Sequence, residues 1–301
     1  MKNYLKSRLL ITALIFVPVA IAHAPQLIAE STATDKTITF VPPPPPPDRS
    51  ASGDRGEAAS RGCQTGDRSL TALVPSYQEE IRLNQAETIP ITKVWGLTTA
   101  KYPTFWFYIP YEASAIASIE FVLKDESAKP RKIAYRNFLS HPEKPGIIGI
   151  STKSLNVPLE LTKANQKKMY HWFLKVKVRC HQQQSTQLDF VEGWIERKEL
   201  NAKCSDLQNH STPLKKAAFY AEKGIWYDAV TNLAKLSSVK PSIEYSEETL
   251  CEAVSFRTPP LSVNSKNNSV DFAAAWKSLL QSVDLEDLAN YPFIDCCLQI
   301  E

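Results

Sequence analysis

The sequence predicts an α+β chain: an antiparallel β-sandwich of about seven to eight strands over residues 68–202, then a small helical domain over residues 203–301. Three observations carry this. Apolar residues alternate with a period near two from Leu70 to about Leu200. From Leu214 onward they recur at three and four instead. Residues 25–67 are rich in Pro, Ser and Gly, which marks them as a disordered or extended arm.

Among the strands the clearest is Tyr170 to Cys180, where Trp172, Leu174, Val176, Val178 and Cys180 alternate with Phe173, Lys175, Lys177 and Arg179. One face is apolar and the other mostly basic, the pattern of an antiparallel strand buried on one side. Thr104 to Ile109, Ser118 to Lys124, Lys132 to Phe138, Ile147 to Ser151 and Asp189 to Arg197 are further strands, each bounded by Pro, Gly, Ser or Asp. Short strands without helical patterns between them point to a sandwich.

In the last third, Leu214, Ala217, Ala218, Ala221, Ile225, Ala229, Leu233 and Leu236 share helical spacing, with Pro213 near the start and Gly224 breaking the run. Two helices of about ten residues meeting at Gly224 form a hairpin. Asp271 is placed to cap a third helix with the face Phe272, Trp276, Leu279 and Leu280, and Asp284 to cap a short fourth through Leu288. The segment Ala217 to Ala229 resembles a single tetratricopeptide repeat through Ala217, Tyr220, Gly224, Trp226 and Ala229, with Pro241 ending the unit. No second copy follows at about 34 residues, so no concave groove forms and these residues serve local packing.

The N-terminus reads as a secretory signal over residues 1–24. Lys2, Lys6 and Arg8 precede an apolar run from Leu9 to Ala22, and small residues follow at Ala20, Ala22 and Ala24. The run contains Pro18 and is shorter than the roughly 20 residues that cross a bilayer core, so cleavage is expected, after Ala22, Ala24 or Ala29. Pro25 disfavours the Ala24 site. An uncleaved segment acting as a membrane anchor is the alternative. With the signal removed, stable membrane insertion is not expected. The formal charge of +3 equals the three signal cations, so the mature chain is close to neutral (3 minus 3). Neutrality argues against nucleic acid as a partner. The run Pro42 to Pro47 should form a stiff polyproline rod, either a spacer or a ligand for a proline-recognition domain.

Six cysteines in an exported chain suggest disulfides among Cys63, Cys180, Cys204, Cys251, Cys296 and Cys297, with 15 connectivities open. Cys63 could bridge to Cys180 or Cys204, and Cys251 to Cys296 or Cys297, which are adjacent and bridge each other only with strain. Buried free thiols are the alternative. No C-x-x-C spacing suggests a metal.

Taken in order, Arg61-Gly-Cys63, Leu70-Thr-Ala-Leu-Val-Pro75, Pro103-Thr-Phe-Trp-Phe-Tyr-Ile-Pro110, Phe121-Val-Leu123, Pro145-Gly146, Tyr170-His-Trp172 with Cys180, Gly193-Trp-Ile-Glu-Arg197 and Gly224-Ile-Trp-Tyr-Asp-Ala229 resemble the domain-of-unknown-function family 928 of exported bacterial proteins. The resemblance covers nearly all of the mature chain, and Pro103 to Pro110 is its most specific element. It implies export and a shared architecture and carries no catalytic residue over.

Neither a G-x-S-x-G elbow, an H-E-x-x-H helix, a P-loop nor a dinucleotide glycine pattern is present. His141, His171, His181 and His210 lack metal-site spacing, and His171 should point outward from its strand. Asp189, Glu192 and Glu196 lie on one strand and Glu120 on another, and Glu192 and Glu196 would stand about 13 Å apart, beyond the roughly 5 to 9.5 Å of glycosidase pairs. Trp106 and Tyr108, with Tyr111, are candidates for an exposed aromatic platform, or else pack under the helices. These features lead to an exported, non-enzymatic binding or structural module of the periplasm or cell surface, without cofactor, whose partner is an envelope protein or a glycan. The rival is a secreted hydrolase, possibly glycan-acting, using carboxylates from separate strands.

Overall fold

Aromatic and β-branched residues dominate the strands, and the sheets they form surround one shared core. The computed structural model describes residues 37–44, 52–56, 68–82, 87–127, 130, 132–163, 168–180, 185–200, 210, 212–237 and 265–297. The signal segment with its cleavage sites, Pro45 to Pro47, Cys63, His181, Cys204, Pro241 and Cys251 lie outside them.

Nine strands are present among the described residues: β1 (Thr71–Ala72), β2 (Ser76–Arg82), β3 (Thr88–Thr98), β4 (Thr104–Ile109), β5 (Ile116–Asp125), β6 (Lys132–Leu139), β7 (Gly146–Ser151), β8 (Met169–Arg179) and β9 (Thr186–Arg197). They form a six-stranded sheet, order β2-β3-β9-β8-β5-β6, and a three-stranded sheet, order β1-β4-β7. The α+β class is observed. Between these strands every pairing is antiparallel except one: β3 runs parallel to β9, with Trp95 opposite Trp194, which corrects the wholly antiparallel expectation. Sequence alternation reports which face is buried and says nothing of a non-local strand's direction.

The smaller sheet is buried on both sides. Phe105 and Phe107 of β4 contact Phe121 and Trp172 of the larger sheet. Of the helices α1 (Pro213–Glu222), α2 (Trp226–Ala234) and α3 (Ser265–Gln281), α2 meets the opposite side of β4 through Thr231, and the segment after α3 meets it through Tyr291 and Phe293. Every residue of β4 and β7 is therefore buried. Gly146 has no room for a side chain, because Pro292 and Ile294 press against it, and the Ile147 amide donates to the Pro292 carbonyl at 2.8 Å.

α1 and α2 meet at Gly224, whose φ of +72° is a left-handed turn that favours glycine. The Thr212 hydroxyl caps α1 by accepting from the Lys215 amide. α3 begins at Ser265, so Asp271 lies inside the helix rather than at its cap, and Asp284 sits in the left-handed turn before a short 3-10 segment, Glu286–Asn290.

Two parts of the expected arm are instead built into the fold. Ile38 and Phe40 are buried; their amides donate to Ser278 Oγ at 2.8 Å and Ser282 Oγ at 3.2 Å, and the Val41 amide donates to the Ala221 carbonyl. Phe40 meets Trp226 edge-on. Further on, Asp54 pairs with Glu192 through both backbone bonds, and Arg55 is buried with Nη1 donating to the Val283 carbonyl at 2.7 Å. Residues 37–41 and 52–55 thus belong to the fold, on either side of Pro45 to Pro47. Lys36–Glu301 is one compact unit, and the buried residues described in it form one hydrophobic cluster.

Candidate functional site

The aromatic platform is closed. Trp106, Tyr108 and Tyr111 are 2%, 4% and 1% exposed. Trp106 Nε1 donates to Thr231 Oγ1 of α2 at 3.1 Å and its ring meets Phe293, while Tyr108 packs on Tyr291 at 4.3 Å. The Tyr111 hydroxyl donates to the buried Asp189 carboxylate. A ring with almost no exposed surface cannot stack on a ligand, so these residues serve packing.

The same inward side holds a polar joint. Asp228, in the first turn of α2, accepts hydrogen bonds from Thr98 Oγ1 at 2.7 Å, Thr99 Oγ1 at 2.6 Å and the Thr99 amide at 3.1 Å. Burial pushes the Asp228 carboxyl above its ordinary range, with the Thr99 and Thr98 hydrogen bonds opposing. Trp172 Nε1 donates to the Tyr227 hydroxyl at 2.9 Å, and Trp226 Nε1 to the Leu73 carbonyl at 2.8 Å. These bonds tie the helical hairpin to β3, β8 and the loop after β1.

Open chemistry lies on the other face of the six-stranded sheet. The registers align Phe138, Glu120, Lys175 and Phe190 in one row across β6, β5, β8 and β9. A second row runs Ile133, Lys124, His171, Trp194, and Lys177 stands opposite Leu188. Ile133, Phe138, Leu188 and Phe190 are 51%, 49%, 52% and 43% exposed, against a buried inner face. Two apolar ridges, on β6 and β9, thus flank a charged strip, the outer phenylalanines of the first row lying about 14 Å apart by strand spacing. In the strip, Glu120 takes Arg136 at 2.5 Å and Lys175 at 3.2 Å. Burial alone would raise the Glu120 carboxyl, but the Arg136 and Lys175 hydrogen bonds and charges outweigh it and hold it below the ordinary range. Lys124 lies 4.3 Å from the Phe173 ring centre.

His171 points outward as expected, into a convergence the spacing does not reveal. Its ring stacks on Trp194 at 4.1 Å, Nε2 lies 2.9 Å from Glu192 Oε2, and Nδ1 lies 3.9 Å from Glu126 Oε1. The cross-strand register brings His171 beside Trp194, but Glu126 reaches it only through the turn after β5. The imidazole thus lies between the two carboxylates. Asp189 faces inward, away from Glu192, and Glu196 is buried near Lys198.

Cys296 and Cys297 are bonded to each other, which departs from the expected pairing with Cys251, and Cys180 is also disulfide-bonded. The positive φ at Cys297 turns the chain where the adjacent pair closes. Among the described residues, no group of three or more His, Cys, Asp and Glu side chains is placed to hold a metal ion, and no helix is long and apolar enough to cross a membrane.

No curated protein and no solved structure matches the chain. Residues 54–257 match the family described as Domain of Unknown Function (DUF928), and with two thirds of its length inside that match the chain belongs to this family.

Proposed function

We propose that the protein is an exported, non-enzymatic binding module of the periplasm or cell surface, and that it binds through the outer face of its six-stranded sheet. One observation carries the proposal: four large apolar side chains, Ile133, Phe138, Leu188 and Phe190, stand about half exposed on that single face while the opposite face is sealed. Exposed apolar residues gathered on one rigid surface mark an interaction site more often than scattered ones do. The basic residues between them, Lys124, Lys175 and Lys177, would set the polarity of the partner, an envelope protein or a glycan.

The N-terminal signal pattern supports export, and export in turn supports persistent disulfides. Contacts of Phe105 and Phe107 with the larger sheet support a sandwich-like architecture, and the short helices meeting at Gly224 support a tetratricopeptide-like hairpin. The test is retention on envelope fractions from the native cell. The double variant Phe138→Ser, Phe190→Ser should lose retention with its thermal midpoint unchanged. Equal retention of variant and wild type would sink the binding face, and a cytoplasmic protein with an intact Met1 by mass spectrometry would sink export.

A further inference from the structure

The segment after α3 closes one side of the smaller sheet, and its last described residues are two bonded cysteines. Phe293 makes a parallel bridge with Ile147 of β7; the Ile147 amide donates to the Pro292 carbonyl at 2.8 Å, and the Ile294 amide to the Ile147 carbonyl at 2.8 Å. Tyr291 lies on Tyr108, and the Phe293 ring meets Trp106 and Trp276. Cys296 and Cys297 follow at once and are bonded to each other. We propose that this pair is a redox site that a dithiol reductant opens and an oxidised dithiol closes, and that opening it loosens residues 291–297 from β7.

Three features of the pair carry the proposal. Neighbouring Cα atoms stand about 3.8 Å apart, less than the roughly 4.4–6.8 Å that ordinary bridges span. A bridge between adjacent residues is therefore strained by its place in the sequence, and strained bridges are reduced more readily than relaxed ones. Cys297 is buried but Cys296 is only half-buried, so an incoming thiolate can reach Cys296. The structure also has a place for the reduced form. The Ser140 carbonyl stands 3.5 Å from Cys296 Sγ, which has no proton to give while bonded and donates there as a thiol.

The exchange balances. A thiolate of the reductant bonds to Cys296 Sγ, the bond between the two cysteines breaks, and Cys297 leaves as a thiolate. The reductant's second thiolate then attacks its partner sulfur in the mixed disulfide and frees Cys296. The reductant ends as a disulfide, and the two protons it gave up end on the two cysteines. Exchange with an oxidised dithiol runs the same steps backward.

Opening the ring moves the chain for two reasons. Two thiols cannot sit as close as two bonded sulfurs, and Cys297 is 5% exposed, so in a close-packed site the turn must shift to make room. Cys297 also has a φ of +81°, in the left-handed region that residues other than glycine keep only when held there. The ring holds it, and an open pair lets it relax just beyond the Ile294 bond to β7. The outer face of the six-stranded sheet plays no part, so this inference and the binding face stand or fall separately.

The test is a redox titration of the purified full chain in graded mixtures of reduced and oxidised dithiothreitol, quenched with N-ethylmaleimide and read by peptide mass spectrometry, with hydrogen exchange measured on the same samples. Cys296 and Cys297 should both be labelled at a reduced-to-oxidised ratio about tenfold below the one that labels Cys180, which is bonded to another cysteine. At that ratio the Ile147 and Ile294 amides should exchange about tenfold faster than in the oxidised protein, while the amides of β8 keep their rates. The double variant Cys296→Ala/Cys297→Ala, with unchanged far-UV circular dichroism, should exchange at the reduced rate in either buffer. Labelling of the pair only together with or after Cys180 would overturn the proposal, as would labelling that leaves Ile147 and Ile294 exchange unchanged. So would a double-alanine variant that exchanges like the oxidised wild type. The wild-type titration decides the matter even where the variant does not fold.

Discussion

On the inner side of β8, Trp172, Leu174 and Val176 are sealed beneath β4; on its outer side, His171, Phe173 and Lys175 meet solvent. β4 carries an equally regular alternation and is buried on both sides. In β8 the outer positions are largely lysine and arginine, whose charged ends require water, so that face stays open. In β4 both sets are mainly aromatic, and Trp106 and Tyr108 find hydrogen-bond or ring partners on α2 and in the segment after α3. Alternation alone thus reports a strand, and the chemistry of the second face reports whether anything covers it.

The sharpest break of this comparison is a pair of truncations. Trp106→Ala removes a fully buried indole together with its bond to Thr231, and should cost about 3–5 kcal/mol of unfolding free energy in a urea titration. Phe190→Ala, on the outer face, should change stability by no more than about 0.5 kcal/mol. If the two truncations cost the same, the outer face is covered and the contrast drawn from β4 and β8 fails.

Next in size is the joint between the helical hairpin and β3. Asp228→Ala leaves the Thr98 and Thr99 donors without their acceptor in a dry site, a loss of about 2–3 kcal/mol. Asp228→Asn keeps an acceptor and the volume and should cost less. The pH dependence has a definite sign. Burial raises the carboxyl, so the folded state binds its proton more tightly than the unfolded state does. The stabilisation from that proton is complete below the unfolded pKa and is lost as pH rises through the folded value. Wild type should therefore gain on Asp228→Asn as pH falls toward about 4, the unfolded value. A difference that runs the other way in thermal denaturation would contradict the assignment.

The six strands from Thr104 to Arg197 were legible because each has an apolar face of period two and a clear boundary. β2 and β3 were not: Glu79, Glu80 and Pro90 interrupt the pattern of an edge pair, whose burial is one-sided and incomplete. The docking of residues 37–41 leaves a trace, since Ile38 and Phe40 alternate with Thr37 and Thr39, but the adjoining prolines make the stretch read as an arm. The polar first turns of α3, Ser265-Lys-Asn-Asn-Ser269, hide its start. Of the candidate site, the outward direction of His171 and the basic face of β8 follow from alternation. The approach of Glu126 and the clustering of four exposed apolar side chains follow from strand order, which is set by contacts far apart in sequence.

The smallest expected effect gives the comparison its counterpart on the outer face. Glu120 is held below the ordinary carboxylate range by Arg136 and Lys175, opposite in direction to Asp228. The folded state binds this proton less tightly than the unfolded state does, so the stabilisation is present above the unfolded pKa of about 4.3 and is lost as pH falls through the folded value. Arg136 is 58% exposed, so solvent screens the pair and its worth is about 1 kcal/mol or less at low salt. Glu120→Gln should therefore destabilise slightly at neutral pH, and the difference should shrink both on acidification and in high salt. The Asp228→Asn difference should respond little to salt, because its charge is shielded by protein rather than by ions. If Glu120→Gln and Asp228→Asn showed the same pH trend, the outer strip would be as dry as the hairpin joint and the sheet would have no solvent face.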